Sequence, residues 1–375
     1  MFTQFEVPPL SAVLAPKRSF DPLSFLRSSA LHPLNDAVAW DSMLSAVNPM
    51  WSTRGIPARV VEIVDETADT KTFVLKPKGN WPGYRAGQHV VIEVEIKGRR
   101  VHRSFSLSSN PASGKLLRVT VKRHPHALVG GFMHTQLSVG DVINLSAPAG
   151  EFAAPAASNE PLLMLSAGSG ITPLLSILRE LRAGGHTSSI VFVHSCRTSK
   201  DFIFGRELEA LAAEWPVLDL RVHFSADQGR LDATAVRALV PDFARYQALV
   251  CGPEGFTACI QDLYREAGAP ERARTESYSG RVLPRSFAAD ALHTVVCTKT
   301  EQTFTARGDR GLLVEAERAG MKPKHGCRIG ICKTCQCLKK SGSVENLRTG
   351  VISSEANELI QLCVSVARSP VELAL

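Results

Sequence analysis

The sequence lacks any uninterrupted apolar run of the roughly 18 residues that a membrane-spanning helix needs. Its first residues, MFTQFEVPPL, also lack the basic start and apolar stretch of a secretory signal, so the expected location is the cytoplasm. There is little excess charge, since 43 Lys and Arg against 36 Asp and Glu give a formal charge of +7 over 375 residues. This mild excess predicts no nucleic-acid partner, but it suits an acidic partner or the inner, anionic face of a membrane.

The cysteines are unevenly spread, and nine of them in a chain expected in the cytoplasm do not indicate a disulfide framework. Cys327, Cys332 and Cys335 follow the spacing C-x4-C-x2-C, and Cys363 follows near the end of the chain. This is the ligand spacing of plant-type [2Fe–2S] clusters. A zinc site is the alternative, but zinc sites favour paired C-x2-C knuckles or added histidines. Cys337 is predicted to be a spare thiol that does not bind the cluster.

The pattern of apolar residues changes three times along the chain and predicts four segments. Residues 1–55 contain a helix-like stretch at about 34–47 and are expected to form an arm that packs on the rest of the protein. Residues 56–155 hold short β-rich runs separated by turns, as in a small antiparallel barrel. Residues 156–284 alternate strand-like and helix-like runs, which predicts a parallel sheet. Residues 285–375 combine a hairpin-like pair, a helix and the cysteine cluster.

A glycine-rich turn follows the apolar run LLMLSA at the start of the third segment. Gly168 and Gly170 allow a tight turn, and Thr172 and Pro173 lie in the first turn of the helix that comes next. A turn between a strand and a helix N-terminus is a typical site for a nucleotide phosphate.

Polar residues follow the second and third predicted strands of the same sheet. Arg197 is expected to reach the ribose or the phosphates of a nucleotide, and the alternative is an ordinary surface arginine. Ser225 and Arg230 would suit the 2′-phosphate of NADPH, whereas Asp227 would repel it. These residues alone therefore do not decide whether the nucleotide is NADPH or NADH.

From about residue 57 to residue 375, the order of motifs resembles the fused reductases of the ferredoxin–NADP reductase superfamily. The resemblance rests on the cysteine spacing, on the turn G-x-G-x-x-P, on Cys251-Gly252-Pro253 and on RSFSLSS from Arg103. It implies a multidomain α/β plus β protein with an antiparallel flavin-binding β-barrel, a parallel α/β nucleotide-binding domain and a C-terminal β-grasp ferredoxin-like domain. It also implies that hydride passes from NAD(P)H to a flavin and that single electrons leave through the cluster.

The resemblance assigns flavin contacts to the barrel. Arg103 would pair with a flavin phosphate, Phe105 would pack on the isoalloxazine ring, and Ser106 would hydrogen-bond near its N5 atom. Gly130 and Gly131 would form a turn that opens a helix at the pyrophosphate, which favours FAD and leaves FMN as the alternative.

The resemblance also assigns the site where the two cofactors meet. Cys251 would approach the nicotinamide and, with Ser106, align it on the flavin, while Gly252 and Pro253 shape the loop. The alternative for Cys251 is a buried structural cysteine. NADPH is favoured by Ser225, Arg230 and the resemblance.

The electron acceptor is expected from overall likeness rather than from a motif. The stretches KPKHGCRIGICKTCQC, VENLRTG and IQLCVSV resemble bacterial reductases that serve membrane fatty-acid desaturases and related di-iron enzymes. The alternatives are a soluble Rieske-type oxygenase as acceptor, or a redox sensor. A basic stretch around the cluster is expected to form the docking rim for an acidic partner, and its residues are Lys322, Lys324, His325, Arg328, Lys333, Lys339 and Lys340.

Overall fold

The computed structural model describes residues 37–52, 55–79, 81–96, 99–112, 114–125, 127–153, 160–277, 291–326, 328, 330, 334–347 and 350–375. The chain divides into two compact units, Met1–Thr53 and Arg54–Leu375. In the described part of the first unit, helix α1 covers Ala37–Val47 and a 3-10 turn covers Pro49–Trp51. The expected packing of this arm on the rest of the protein stays a prediction. Within the ranges given above, no helix has the length and apolar character to cross a membrane.

The second unit begins with six strands that pair antiparallel. They are β1 (Ile56–Thr67), β2 (Thr70–Pro77), β3 (His89–Ile96), β4 (Arg99–Ser106), β5 (Leu117–Lys122) and β6 (Val142–Leu145). The strand order is β4-β3-β6-β1-β2-β5, and a bridge between Leu107 and Val119 joins the continuation of β4 to β5. The sheet therefore closes on itself, which confirms the predicted barrel. Helix α2, Leu128–Thr135, buries its side chains Val129 and Met133 in the apolar core of the barrel.

A parallel sheet with helices on both faces follows the barrel. Its strands are β7 (Leu162–Ala167), β8 (Ile190–Cys196), β9 (Leu218–Phe224), β10 (Gln247–Gly252) and β11 (Ala273–Ser277), and its helices are α3 (Ile171–Ala183), α4 (Gly205–Glu214), α5 (Ser225–Gln228), α6 (Ala233–Leu239) and α7 (Glu254–Glu266). All residues of β8 are buried because α3 and α4 cover one face of the sheet and α6 and α7 cover the other. The strand order β11-β10-β7-β8-β9 reverses direction between β7 and β10. In open α/β sheets, ligands bind where the order reverses, outside the carboxyl ends of the strands.

The C-terminal part is a small mixed sheet with one helix packed on it. Its elements are β12 (Leu292–Cys297), β13 (Gln302–Arg307), α8 (Leu312–Arg318), β14 (Gln336–Ser341), β15 (Val344–Asn346), β16 (Ile352–Ser353), β17 (Glu358–Gln361), β18 (Ser365–Ala367) and β19 (Val371–Leu373). The strand order is β13-β12-β19-β14-β17, with β12 and β19 parallel, and β16-β15-β18 form a second sheet. The predicted hairpin, helix and ferredoxin-like arrangement are confirmed.

Candidate functional site

The predicted flavin residues lie at the end of strand β4. Arg103 pairs in register with Ile92 and has an exposed side chain, whereas Ser106 pairs with His89 and is buried. Phe105 is half-buried and packs against the barrel core. The exposed side chain of Arg103 is accessible to solvent, and its contact with a flavin phosphate stays a prediction.

The predicted pyrophosphate turn is part of a helix. Helix α2 begins at Leu128, so Gly130 and Gly131 lie inside its first turn and do not precede it. A Cβ atom on Gly131 would meet no atom within 4 Å, so this side of the helix is open to a ligand. The first amides of the helix lack intrahelical acceptors and can bind phosphate oxygens. The neighbouring His134 is engaged elsewhere, because its Nε2 atom lies 2.7 Å from the Val121 carbonyl oxygen.

The glycine turn and the Cys251 segment meet at the switch point of the parallel sheet. Gly168 has a φ of +56°, and a Cβ atom on Gly170 would lie 2.1 Å from the Cys251 carbonyl oxygen. Thr172 and Pro173 are buried, and the Thr172 hydroxyl donates to the Ser169 carbonyl at 3.0 Å. The predicted contacts of Thr172 and Pro173 with a nucleotide stay predictions.

Cys251 has no exposed surface and lies in the apolar cluster between the sheet and α3. In the register of β7 and β10 it pairs with Ser166, at the carboxyl end of both strands. Cys251 is therefore a buried side chain before a turn, as the alternative interpretation of this residue predicts. Direct approach of its thiol to a nicotinamide stays a prediction. Gly252 is buried as well, and Pro253 is exposed at the start of α7.

The polar residues after β8 and β9 are brought together at the same edge. The Ala226 amide donates to the Arg197 carbonyl at 3.0 Å, which ties the two loops to each other. Arg197 and Arg230 are exposed, and Ser225 is the first residue of α5. Their side chains are accessible to a nucleotide that binds across this edge.

A buried pair, Ser166 and His194, lies at the same edge and was not anticipated from the sequence. The Ser166 hydroxyl is 2.8 Å from Nδ1 of His194, and the imidazole stacks on Phe202 with 5.4 Å between ring centroids. His194 Nε2 is buried without a hydrogen-bond partner in the described structure. Burial lowers the pKa of His194 to about 3, so the ring is neutral. A histidine inside an apolar strand is the only sequence signal for it.

This burial predicts a loss of stability in acid. A histidine in the unfolded chain titrates near its usual pKa of 6.5. Between pH 6.5 and about 3, the unfolded state therefore binds a proton at this residue, whereas the folded state does not. Between pH 6.5 and about 3, this residue should therefore lower the free energy of unfolding by about 1.4 kcal/mol for each unit by which the pH falls. Denaturant unfolding of the protein and of His194→Asn across this range measures it. The stability difference between the two should shrink as the pH falls, and a constant difference would contradict the assignment.

Two of the four predicted cluster ligands are described, and they converge. Sγ of Cys335 lies 3.1 Å from Sγ of Cys363, and the Cys363 amide is 3.5 Å from the Cys335 sulfur. This separation is longer than a disulfide bond of about 2.05 Å, so no disulfide joins these two sulfurs. Two thiols aimed at one point fit the ligand set of an iron–sulfur cluster. Cys327 and Cys332 lie outside the described residues, so their roles stay predictions.

Cys337 is one of the core residues of the same domain. It is 6% exposed, packs in the apolar cluster, and its sulfur lies 3.7 Å from the Leu338 carbonyl oxygen. Gly311 lies against the other end of the site, because a Cβ atom there would be 2.7 Å from the Cys363 carbonyl oxygen. The start of α8 therefore rests directly on the backbone of a predicted ligand.

The basic stretch around the cluster is smaller than the sequence predicts. Lys339 is fully buried, and its ammonium donates to three backbone carbonyls, so its place in an exposed rim is wrong. Arg328 donates to both carboxylate oxygens of Glu317, at 2.9 and 2.6 Å, and His325 lies beside this pair. The exposed lysines that remain are Lys322, Lys324 and Lys340, since Lys333 lies outside the described residues.

Three family models match successive parts of the chain. They are described as an oxidoreductase FAD-binding domain over residues 57–153, an oxidoreductase NAD-binding domain over residues 164–262 and a 2Fe-2S iron-sulfur cluster binding domain over residues 295–368. The predicted cofactors, FAD, a pyridine nucleotide and a [2Fe–2S] cluster, are thereby confirmed.

The chain is similar to other proteins over most of its length. An NADPH oxidoreductase of Mycobacterium tuberculosis (strain ATCC 25618 / H37Rv) is 35% identical over 331 residues, which are 87% of this chain and 86% of that protein. The glycine betaine monooxygenase reductase subunit of Pseudomonas aeruginosa (strain UCBPP-PA14) is 29% identical over 351 residues, 86% of this chain and 95% of that protein. A solved structure described as a phthalate dioxygenase reductase shares the fold, with a TM-score of 0.57 at 22% identity over 86% of this chain and 98% of that one. The chain belongs to the ferredoxin–NADP reductase superfamily, as a fused FAD, NAD(P)H and [2Fe–2S] oxidoreductase.

Proposed function

We propose that this chain is the reductase component of an oxygenase-type system and delivers single electrons to a separate acceptor protein. The observation that carries the proposal is the contact between the turn at Gly168–Gly170 and the end of β10 at Cys251. It lies at the switch point of a nucleotide-binding sheet, in a chain that also has a ferredoxin-type domain. The domain boundaries 56–155, 156–284 and 285–375 are part of the proposal.

The residues have separate tasks in this scheme. A hydride carries two electrons whereas the cluster accepts one at a time, and bound FAD supplies the conversion. Arg103 and the first turn of α2 hold the phosphates, while Phe105 and Ser106 orient the ring system. The glycine turn holds the nicotinamide nucleotide, and the backbone around Cys251 sets how closely it approaches.

The preferred nucleotide is NADPH, because the exposed Arg230 and the half-buried Ser225 follow β9, where a 2′-phosphate would bind. Asp227, on the same short helix α5, opposes this preference. The name of the Mycobacterium relative, an NADPH oxidoreductase, supports the choice. The ratio of kcat/KM for NADPH and NADH decides it.

Two acceptors are candidates. The cluster segment resembles that of reductases for membrane fatty-acid desaturases, which favours a membrane di-iron enzyme. The name of the Pseudomonas relative, a monooxygenase reductase subunit, favours a monooxygenase. Co-purification of the tagged reductase from separate membrane and soluble fractions, with the partner identified, distinguishes the two. A redox sensor would differ from both, because it would reduce cytochrome c slowly despite a full load of FAD and cluster.

The acceptor proposal predicts electrostatic docking at Lys322 and Lys324. Both lysines are exposed in the segment just before the cluster ligands, so reversal to Glu should slow acceptor reduction about tenfold at low salt and flatten its salt dependence. Ferricyanide, which can take electrons from the flavin directly, should be reduced at the normal rate. The rates are measured with the reconstituted acceptor over a range of ionic strength.

A matched control is the double reversal of Lys76 and Lys78, which are exposed on the barrel. It makes the same change in net charge but should leave acceptor reduction as it is. If both double variants slow the acceptor equally, the effect comes from net charge and the docking rim lies elsewhere.

A further inference from the structure

Helix α3 of the parallel sheet makes several polar contacts with the barrel, in addition to the ion pair between His89 of β3 and Glu276 of β11. The Ser176 hydroxyl donates to the Ser109 carbonyl oxygen at 2.6 Å, and the Arg179 guanidinium donates to the Ser108 carbonyl oxygen. Ser108 and Ser109 follow the predicted flavin residues of β4 within the same RSFSLSS segment. The helix is thus attached directly to the chain segment that would hold the flavin.

The guanidinium of Arg179 is held on three sides. Its Nε and Nη2 atoms donate to the two carboxylate oxygens of Glu207 on α4, at 2.7 and 2.5 Å, while Nη1 reaches Ser108. The Phe204 ring lies 5.9 Å away, and only 16% of the arginine side chain is exposed. A planar fork with several fixed donors can make all these contacts at once, whereas a lysine ammonium cannot.

The barrel side of this junction is also fixed. The Tyr84 hydroxyl lies 2.7 Å from both the side-chain and the carbonyl oxygen of Ser109, and the Arg118 amide donates to the Ser109 hydroxyl at 3.0 Å. Burial raises the pKa of Tyr84 to about 12, so the phenol keeps its proton and donates. The carbonyls that α3 binds therefore belong to a rigid part of the barrel.

The same helix carries the glycine turn at its other end. Helix α3 starts at Ile171, immediately after Gly170, and Arg179 lies in its third turn, about 12 Å along the axis at 1.5 Å per residue. An α-helix of this length is stiff. The attachment of Ser176 and Arg179 to the barrel therefore constrains the position of the turn relative to Ser108.

We propose that Arg179 is a positioning residue for hydride transfer, which fixes the nucleotide turn relative to the flavin strand. The inference rests on the proposed roles of the Gly168–Gly170 turn and of the Arg103–Ser106 segment. Hydride transfer needs reacting atoms about 3–3.5 Å apart, and an error of 1 Å costs roughly 100-fold in rate. A contact that sets the spacing of two domains can therefore control the rate without touching either cofactor.

The test replaces Arg179 by methionine and compares it with Arg182→Met. Arg182 is on the same helix and pairs with Glu214 of α4 at 2.7 Å, but it makes no contact with the barrel in the described structure. Anaerobic stopped-flow measures flavin reduction by NADPH per bound FAD, with nucleotide deuterated at the transferred position as a second substrate. Arg179→Met should slow hydride transfer about 10- to 100-fold. This variant should also change the deuterium isotope effect on the rate of flavin reduction. The charge-transfer absorbance of the complex between NADP⁺ and the reduced flavin should be weaker than in the native protein. Arg182→Met should match the native protein.

The outcomes separate the inference from the proposed function. If Arg179→Met lowers only the melting temperature while hydride transfer per bound FAD and the charge-transfer band stay normal, Arg179 is merely structural and the inference is overturned. Arg179→Lys, which keeps the charge but not the fork, should recover less than half of the lost rate, and full recovery would also overturn it. If the native protein itself fails to reduce its flavin with NADPH or NADH, the proposed function fails instead.

Discussion

Replacing Cys363 by serine is expected to remove the visible iron–sulfur absorbance and the EPR signal of the cluster, and to reduce cytochrome c reduction to background. The sulfur of Cys363 lies 3.1 Å from that of Cys335, so its loss opens one corner of the ligand set. Cluster assembly needs all four thiolates, because metal binding and folding of such small sites are coupled. Ferricyanide reduction by NADPH should stay within about twofold of normal, since the barrel and the parallel sheet do not use this residue.

The matched control is Cys337→Ala, which removes a neighbouring thiol from the core of the same domain. Cys337 packs in the apolar cluster, so its truncation should cost about 1 kcal/mol of stability and leave the EPR signal intact. A variant that lost its cluster here would make Cys337 a ligand and contradict the assignment. If Cys363→Ser also lost ferricyanide reduction, the ferredoxin-type domain and the rest of the chain would not act as separate modules.

Much of the fold could be predicted because its signals are local. The cysteine spacing, the turn at Gly168–Gly170 and the alternation of strand-like and helix-like runs each involve residues that are close in sequence. The glycine turn predicts the start of helix α3, and the structure places the first residue, Ile171, directly after it. A boundary set by backbone geometry alone was missed, as at α2, which includes Gly130 although glycine favours turns.

The remaining features depend on contacts between residues that are far apart in the sequence. No local pattern indicates which of these residues meet. Arg179 and Ser108 are 71 residues apart, and nothing in either segment indicates that they meet. Arg328 reads as part of a basic stretch, yet its partner Glu317 lies on the preceding helix and occupies both of its terminal nitrogens. Lys339 is in a run that looks exposed, but β14 turns its side chain inward, where backbone carbonyls accept its protons.

The other large effect is expected at Gly170, where the glycine turn rests on the backbone of β10. A Cβ atom added to Gly170 would lie 2.1 Å from the Cys251 carbonyl oxygen and 2.7 Å from the Gly252 amide nitrogen. These atoms belong to paired strand backbone and cannot rotate away, so Gly170→Ala must push the turn and the end of β10 apart by roughly 1 Å. Because hydride transfer tolerates so little displacement, flavin reduction by NADPH should fall about 100-fold or more.

The control for Gly170→Ala is Gly255→Ala, in α7 just beyond the Cys251 segment. A Cβ atom there would meet nothing within 4 Å, and a glycine inside a helix usually gains stability when replaced by alanine. This variant should therefore reduce its flavin at the normal rate. Chemical reduction of Gly170→Ala by dithionite should still give the cluster EPR signal, because the ferredoxin-type domain lies outside the altered sheet. If dithionite gives no signal, the substitution has disrupted the whole chain, and the selective effect expected here is contradicted. If Gly170→Ala instead keeps normal hydride transfer, the nucleotide does not bind at this turn, and the switch point of the sheet is not the site.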